Sequence, residues 1–176
     1  MRVITGTARN CRLETLSGDA TRPTAERVKE GLFSAIQFDL PGRRALDLFA
    51  GSGQLGIEAL SRGAVSCVFV DQNKTATEII RRNLHAAKLA QHAQVLTTDA
   101  LGFLSRTNET FDLVFLDPPY TAGLLEPALM AVAQKLAPGG LIVCEYDDDT
   151  TLPQTVGALQ LYRTYRYGRV LITVYR

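Results

Sequence analysis

The richest chemistry in this 176-residue chain lies in Asp117-Pro118-Pro119-Tyr120. The tetrapeptide follows Phe111 to Leu116, an apolar run that reads as a buried strand, so it stands where that strand ends. Two consecutive prolines each fix φ and lack an N–H, so neither donates to a sheet ladder. Asp117 precedes a proline and is driven toward extended backbone. The result is a stiff rim that offers a carboxylate, backbone carbonyls and an aromatic ring. Such a rim suits a planar, amine-bearing group such as a nucleobase. A plain strand end followed by a turn would use the same four residues, so their place in the chain has to decide.

A second group of residues supplies that place. Gly51, Gly53 and Gly56 in Asp47-Leu48-Phe49-Ala50-Gly51-Ser52-Gly53-Gln54-Leu55-Gly56 match G-x-G-x-x-G between a predicted strand and a predicted helix. Without a Cβ the backbone can approach a ligand closely, and the helix N-terminus favours anionic groups. Asp71 ends the next predicted strand, eighteen residues after Gly53. A carboxylate there can accept from both hydroxyls of a ribose, and it can equally cap the helix that follows. Asp99 ends the third strand, where it can accept from an adenine amino group or act as another helix cap. Asp47, just before the glycine turn, can face a cationic amino group. Two cofactors fit: a nicotinamide dinucleotide with its pyrophosphate on the glycine turn, or S-adenosylmethionine with its methionine part there. The rim at 117–120 favours the second, because hydride transfer has no evident use for an amine-orienting group.

Alternating elements must hold these residues in register. Strands are predicted at 45–49, 66–70, 94–97, 111–116 and 140–146, and helices at 54–61, 74–89, about 100–105 and 122–136. Repeated β-α-β units imply a doubly wound, mostly parallel α/β sheet with helices on both faces. Leu159 to Tyr167 and Arg169 to Tyr175 read as a closing antiparallel hairpin that turns at Gly168. Ahead of the sheet, residues 2–5 and 12–16 suggest a small hairpin or irregular ribbon. Pro23 then opens a helix over about 24–38, with Gly31 inside it at some cost. The chain thus reads as one domain, a 1–42 extension followed by a 43–176 core.

Composition supports a globular protein of ordinary character, 46% hydrophobic and 21% charged. No stretch approaches the length of a membrane span, and the N-terminus lacks the long apolar region of a signal peptide, so the cytoplasm is the expected location. Cys11, Cys67 and Cys144 are too far apart for a metal-ligand pattern or a disulfide framework, and Cys67 and Cys144 read as small buried hydrophobes. The net charge of +1 hides an asymmetry. Residues 1–44 carry eight Lys/Arg and five Asp/Glu, residues 45–159 carry seven and thirteen, and residues 160–176 carry four arginines and no acid. Basic ends fit phosphate contacts, and they also fit plain solvated faces.

Taken in order, the glycine turn, Asp71, Asp99 and Asp117-Pro118-Pro119-Tyr120 resemble the class I S-adenosylmethionine-dependent methyltransferases. More closely, the chain resembles the RsmD family, the bacterial 16S rRNA guanine-966 N2-methyltransferases (RNA numbering). The resemblance is carried by Arg22-Pro23-Thr24, Arg27-Val28-Lys29-Glu30, the block from Asp47 to Ala64, and Asp117 to Tyr120. It implies a Rossmann-like, seven-stranded sheet whose last strand pair includes an antiparallel insertion. It also implies S-adenosyl-L-methionine as cofactor, held by Asp47, Gly51, Ser52 and Gly53, with Asp71 at the ribose and Asp99 and Ala100 at the adenine. Asp117, Pro118 and Tyr120 would meet the target guanine. Arg9, Arg22, Thr24, Arg27 and Lys29 would contact RNA, either 16S rRNA or a small-subunit assembly intermediate, with the enzyme a monomer. The family's N-terminal hairpin usually has a glycine-arginine-rich turn, whereas this chain has Thr7-Ala8-Arg9-Asn10-Cys11-Arg12. A DNA amino-methyltransferase shares the tetrapeptide but usually needs further sequence to read its target.

Overall fold

The structure is a computed structural model that describes residues 1–16, 23–119 and 123–176, and of residues 23–25 the backbone alone. Its centre is a sheet of β1 (Arg44–Leu48), β2 (Ser66–Asp71), β3 (Ala93–Thr97), β4 (Phe111–Leu116), β5 (Leu136–Asp147), β6 (Thr155–Val156), β7 (Leu159–Tyr167) and β8 (Val170–Tyr175). The spatial order is β3-β2-β1-β4-β5-β8-β7-β6. The first five of these are parallel, and β8, β7 and β6 are added antiparallel. The seven expected strands are therefore present, and the two-residue β6 makes an eighth at the edge. So short a strand has no periodicity to read. Strand β5 also starts earlier than its apolar run, at Leu136, and its register against β4 jumps between Leu136 and Leu141.

Strict alternation along the strands feeds two cores. Ala45, Cys67, Phe69, Leu113, Phe115 and Val143 face one layer, while Leu46, Leu48, Val68, Val70, Val114 and Ile142 face the other. The first layer contains α1 (Pro23–Ala35), α2 (Gln54–Ser61) and α3 (Lys74–Ala86), and the second contains α4 (Ala100–Arg106) and α5 (Leu125–Ala133). Each fully buried Leu, Val or Phe contributes about 1.5–3 kcal/mol of transfer free energy, so this double core fixes the strand ends rigidly. Helix α2 is covered on all sides, and every residue from Leu55 to Ser61 is buried.

The extra layer over α2 is the N-terminal ribbon. Arg2 bridges Arg12, and Val3 exchanges backbone bonds with Asn10 and Cys11, as the weak alternation suggested. The ribbon is pinned by buried polar side chains of α2 and α3. Glu58 accepts from Ile4 N at 2.8 Å and Thr5 N at 3.0 Å, and Ser61 Oγ accepts from Ala8 N at 3.0 Å. Asn83 Oδ1 accepts from Glu14 N, while its Nδ2 donates to Glu14 O and to Ser52 O in the glycine turn. Helix α1 packs against this assembly and against the C-terminal hairpin. Gly31 lets Tyr167 pack close there, because a Cβ would lie 1.8 Å from the Tyr167 hydroxyl and the ring would have to shift.

Candidate active site

Sheet order reverses between β1 and β4, since the chain winds outward to β2 and β3 on one side and to β4 and β5 on the other. Open α/β sheets bind ligands in the crevice at such a switch point, beyond the C-terminal strand ends. A cleft of about 570 Å³ occurs there. It is lined by Asp47, Gly51, Ser52, Asp71, Asp99, Ala100, Asp117 and Pro118, all of them residues expected from the sequence.

The glycine turn is built for close approach. Gly51 (φ 54°) and Gly53 (φ 77°) both sit in left-handed backbone. Gly53 is the N-cap of α2 and does not line the cleft, so its part is to shape the turn. Gly56 serves packing, because a Cβ would come within 2.3 Å of Phe69 and 2.7 Å of the Cys67 sulfur. Phe49 precedes the turn at φ 66°, a strained position for an aromatic residue, and lines the cleft. Phe49 and Leu16, the latter from the end of the ribbon, are apolar lining residues that no sequence motif announced.

The carboxylates are tied to this frame. Asp71 Oδ2 accepts from Gly51 N and its Oδ1 from Asn73 N, both at 2.8 Å. Asp71 thus locks the glycine turn to the end of β2. Asp99 caps α4, with Oδ2 2.6 Å from Gly102 N. The capping role is realised for Asp99 alone; α3 is capped by Asn73, whose side chain accepts from Thr75 N, and Asp71 holds the turn just before it. Both acids also face the cleft. Asp47 is buried and, among the described residues, its carboxylate accepts one backbone bond, from Gly56 N at 2.9 Å. Burial pushes its carboxyl up to about 7, the Gly56 bond pulls it back, and the nearby Asp71 charge pushes it further up. Asp117 follows β4 and completes a set of four carboxylates around the cleft. No lysine or arginine lines it among the described residues.

The proposed RNA contacts divide. Arg9 and Arg27 are exposed. Lys29 is not available to RNA, which corrects the reading of it as a surface cation. It is 2% exposed, its Nζ donates to Arg2 O at 2.7 Å, and it pairs with Glu58 at 3.4 Å. Its place on the inner face of α1, between Val28 and Leu32, put it in the core. Burial lowers the Lys29 ammonium, and Glu58 offsets part of that shift. Arg22, the side chain of Thr24, and Tyr120 lie outside the described residues. In the C-terminal ribbon Arg166, Arg169 and Arg176 pair with Asp148, Asp149 and Asp39.

A glycine turn between β1 and α2, acids at successive strand ends and an antiparallel closing pair together define a Rossmann-like methyltransferase fold. Residues 1–176 match the model of the family described as conserved hypothetical protein 95, and the chain belongs to that family, the RsmD family expected from its motifs. It is 42% identical over 181 residues to YlbH of Bacillus subtilis (strain 168), covering 100% of this chain and 98% of that one. It is 35% identical over 180 residues to ribosomal RNA small subunit methyltransferase D of Haemophilus influenzae, covering 94% and 93%. The solved structure of yhhF from Escherichia coli superposes with a TM-score of 0.87 at 33% identity, over 99% of this chain and 96% of that one.

Proposed function

We propose that this protein methylates the exocyclic N2 amine of a guanine in 16S rRNA, with S-adenosylmethionine as cofactor. The observation that carries the reading is the charge of the cleft: four carboxylates, and no lysine or arginine among the described residues. A pyrophosphate would meet Asp47 and Asp71 with no cation to balance it. A ligand with an ammonium and a sulfonium suits the same walls, and Asp47 in particular gains a partner that burial has denied it. When bound, S-adenosylmethionine supplies an electrophilic methyl group on a positively charged sulfur. In this reading Asp71 accepts from the ribose hydroxyls and Asp99 from the adenine amine, each with a carboxylate already oriented by its backbone bonds.

The chain's own part in the chemistry falls to the rim after β4. A guanine N2 amine is a poor nucleophile, because its lone pair is shared with the ring. Asp117 and the Pro118 carbonyl accept its two N–H bonds and turn the lone pair toward the cofactor side of the cleft. Transfer of the methyl would exchange its bond to sulfur for a bond to N2 and leave neutral S-adenosylhomocysteine, and Asp117 takes the surplus proton from the methylated amine and passes it to water. Most of the acceleration then comes from positioning. Tyr120 stacks on the base, which must leave its own stack to enter. Arg9, Arg22, Thr24 and Arg27 contact the RNA backbone, and the protein acts as a monomer on rRNA or on a partly assembled small subunit.

The names of the relatives support rRNA as the substrate class. The test is transfer of labelled methyl groups to rRNA and to small subunits from cells lacking this activity, followed by mapping of the modified nucleotide. Label on a guanine N2 of 16S rRNA is the expected result. Label only in DNA or protein would overturn the proposal.

A further inference from the structure

Two segments distant in the chain line the cleft, and one side chain ties them together. Ser52 lines it from the glycine turn, and Leu16 lines it from the end of the N-terminal ribbon. Asn83, buried on α3, bonds to both segments. Its Oδ1 accepts from Glu14 N at 2.8 Å, two residues ahead of Leu16. Its Nδ2 donates to Glu14 O at 3.0 Å and to Ser52 O at 2.9 Å. The bridge uses one acceptor and both donors of a carboxamide. A leucine of similar size offers neither, and an ionised aspartate offers no donor. The residue type is therefore tied to the bridge.

The glycine turn needs a hold of this kind. Gly51 and Gly53 flank Ser52 in left-handed backbone, at φ 54° and 77°, and glycine has the freest backbone. Two side chains fix the stretch from outside it: Asp71 Oδ2 accepts from Gly51 N at 2.8 Å, and Asn83 donates to Ser52 O. Asp71 lines the cleft, whereas Asn83 is not among the lining residues. Asn83 can reach a ligand only through the residues that it holds. The other pins of the ribbon, Glu58 and Ser61, take it at Ile4, Thr5 and Ala8, farther from Leu16 along the chain.

We infer that Asn83 is a positioning residue for cofactor binding: its amide sets the glycine turn and the ribbon end together, so that Ser52 and Leu16 meet the cofactor as one preorganised wall. The inference rests on the cofactor reading above and gives Asn83 no contact with the cofactor or the base. Walls already held by outer bonds need not be ordered when the ligand arrives, which raises affinity. Linkage makes the effect reciprocal. A cofactor that favours the bridged arrangement also holds the ribbon end to Asn83.

Hydrogen exchange on the wild-type protein gives the first test. S-adenosylhomocysteine should slow exchange of the Glu14 amide by about fivefold or more. It should leave the Ile4 and Thr5 amides, which Glu58 holds, unchanged. No slowing at Glu14, or equal slowing at all three amides, overturns the inference. Calorimetry on two variants gives the second test. Asn83→Leu should weaken S-adenosylhomocysteine about tenfold. Ser61→Ala frees the ribbon at Ala8 and removes no bond to the glycine turn, so it should keep wild-type affinity even where its melting temperature falls. Wild-type affinity in folded Asn83→Leu overturns the inference. So does an equal loss in Ser61→Ala, which would reduce Asn83 to one more pin of the ribbon. Wild-type protein that does not bind S-adenosylhomocysteine would overturn the cofactor reading itself, an outcome distinct from all of these.

Discussion

Helix α2 has a buried carboxylate at each of its two faces, and they are treated in opposite ways. On the ribbon side, Glu58 is enclosed by partners: Lys29 at 3.4 Å, Arg62 Nε at 2.8 Å, and the backbone amides of Ile4 and Thr5. On the cleft side, Asp47 has the Gly56 amide and a carboxyl pushed up to about 7. The two acids are eleven residues apart on one β-α unit, so burial alone does not separate them. What differs is whether the protein supplies a countercharge. Where the carboxylate fastens the N-terminal ribbon, two cations come from within the chain. Where it faces the cleft, no lysine or arginine comes from the described residues, and under the proposed function the ligand supplies the countercharge.

The contrast breaks first at Glu58. Glu58→Ala should strand the buried Lys29 and two ribbon amides and cost about 3–5 kcal/mol in denaturant unfolding. A loss below about 1 kcal/mol would mean that the network is no stronger than a surface pair. Asp47→Asn should behave oppositely. The amide can still accept from Gly56 N, so ligand-free stability at pH 8 should hold or rise. Affinity for S-adenosylhomocysteine should fall by about ten- to a hundredfold, as for one lost charged hydrogen bond. A protein that loses stability and keeps its affinity would reverse the assignment.

A smaller effect is the pH dependence of the same group. Asp47 has a folded-state value near 7 against an ordinary value of 3.8, so the native state keeps a proton that the unfolded chain releases. Its contribution to stability is complete below the ordinary value and is lost as pH rises through about 7. A bound ammonium favours the ionised form. Cofactor binding should therefore release a proton at pH 6, and affinity should rise toward pH 8 by at most about tenfold per unit. Calorimetry in buffers of different ionisation enthalpy reads this directly, and the proton release should vanish in Asp47→Asn. The smallest effect belongs to the ion pairs of the C-terminal hairpin, whose arginines are exposed. Asp148→Ala removes partners of Arg166 and Arg169 in water, where screening is strong, and should leave the melting temperature unmoved.

Much of the site could be read from residue order, because its parts are local. The glycine turn joins a strand to the next helix, and Asp71, Asp99 and Asp117 each end an apolar run. The closing hairpin turns at Gly168 (φ 66°), as its composition required. What escaped sequence reading depends on partners distant in the chain. Lys29 resembled helix-surface charge beside Glu26 and Glu30, since nothing local names Glu58 as its partner. Gly31 looked like a flaw in α1 until Tyr167 was placed against it. Asn83 and Leu16 carry no motif, and only the assembled fold shows that one bridges the ribbon to the glycine turn and the other lines the cleft.

The most direct test of the account is Asp117→Ala, assayed for methyl transfer to 16S rRNA with S-adenosylhomocysteine affinity and melting temperature measured on the same preparation. Methyl transfer should fall by about a hundredfold or more, with cofactor affinity and folding close to wild type. Near-normal transfer by the folded variant would contradict it.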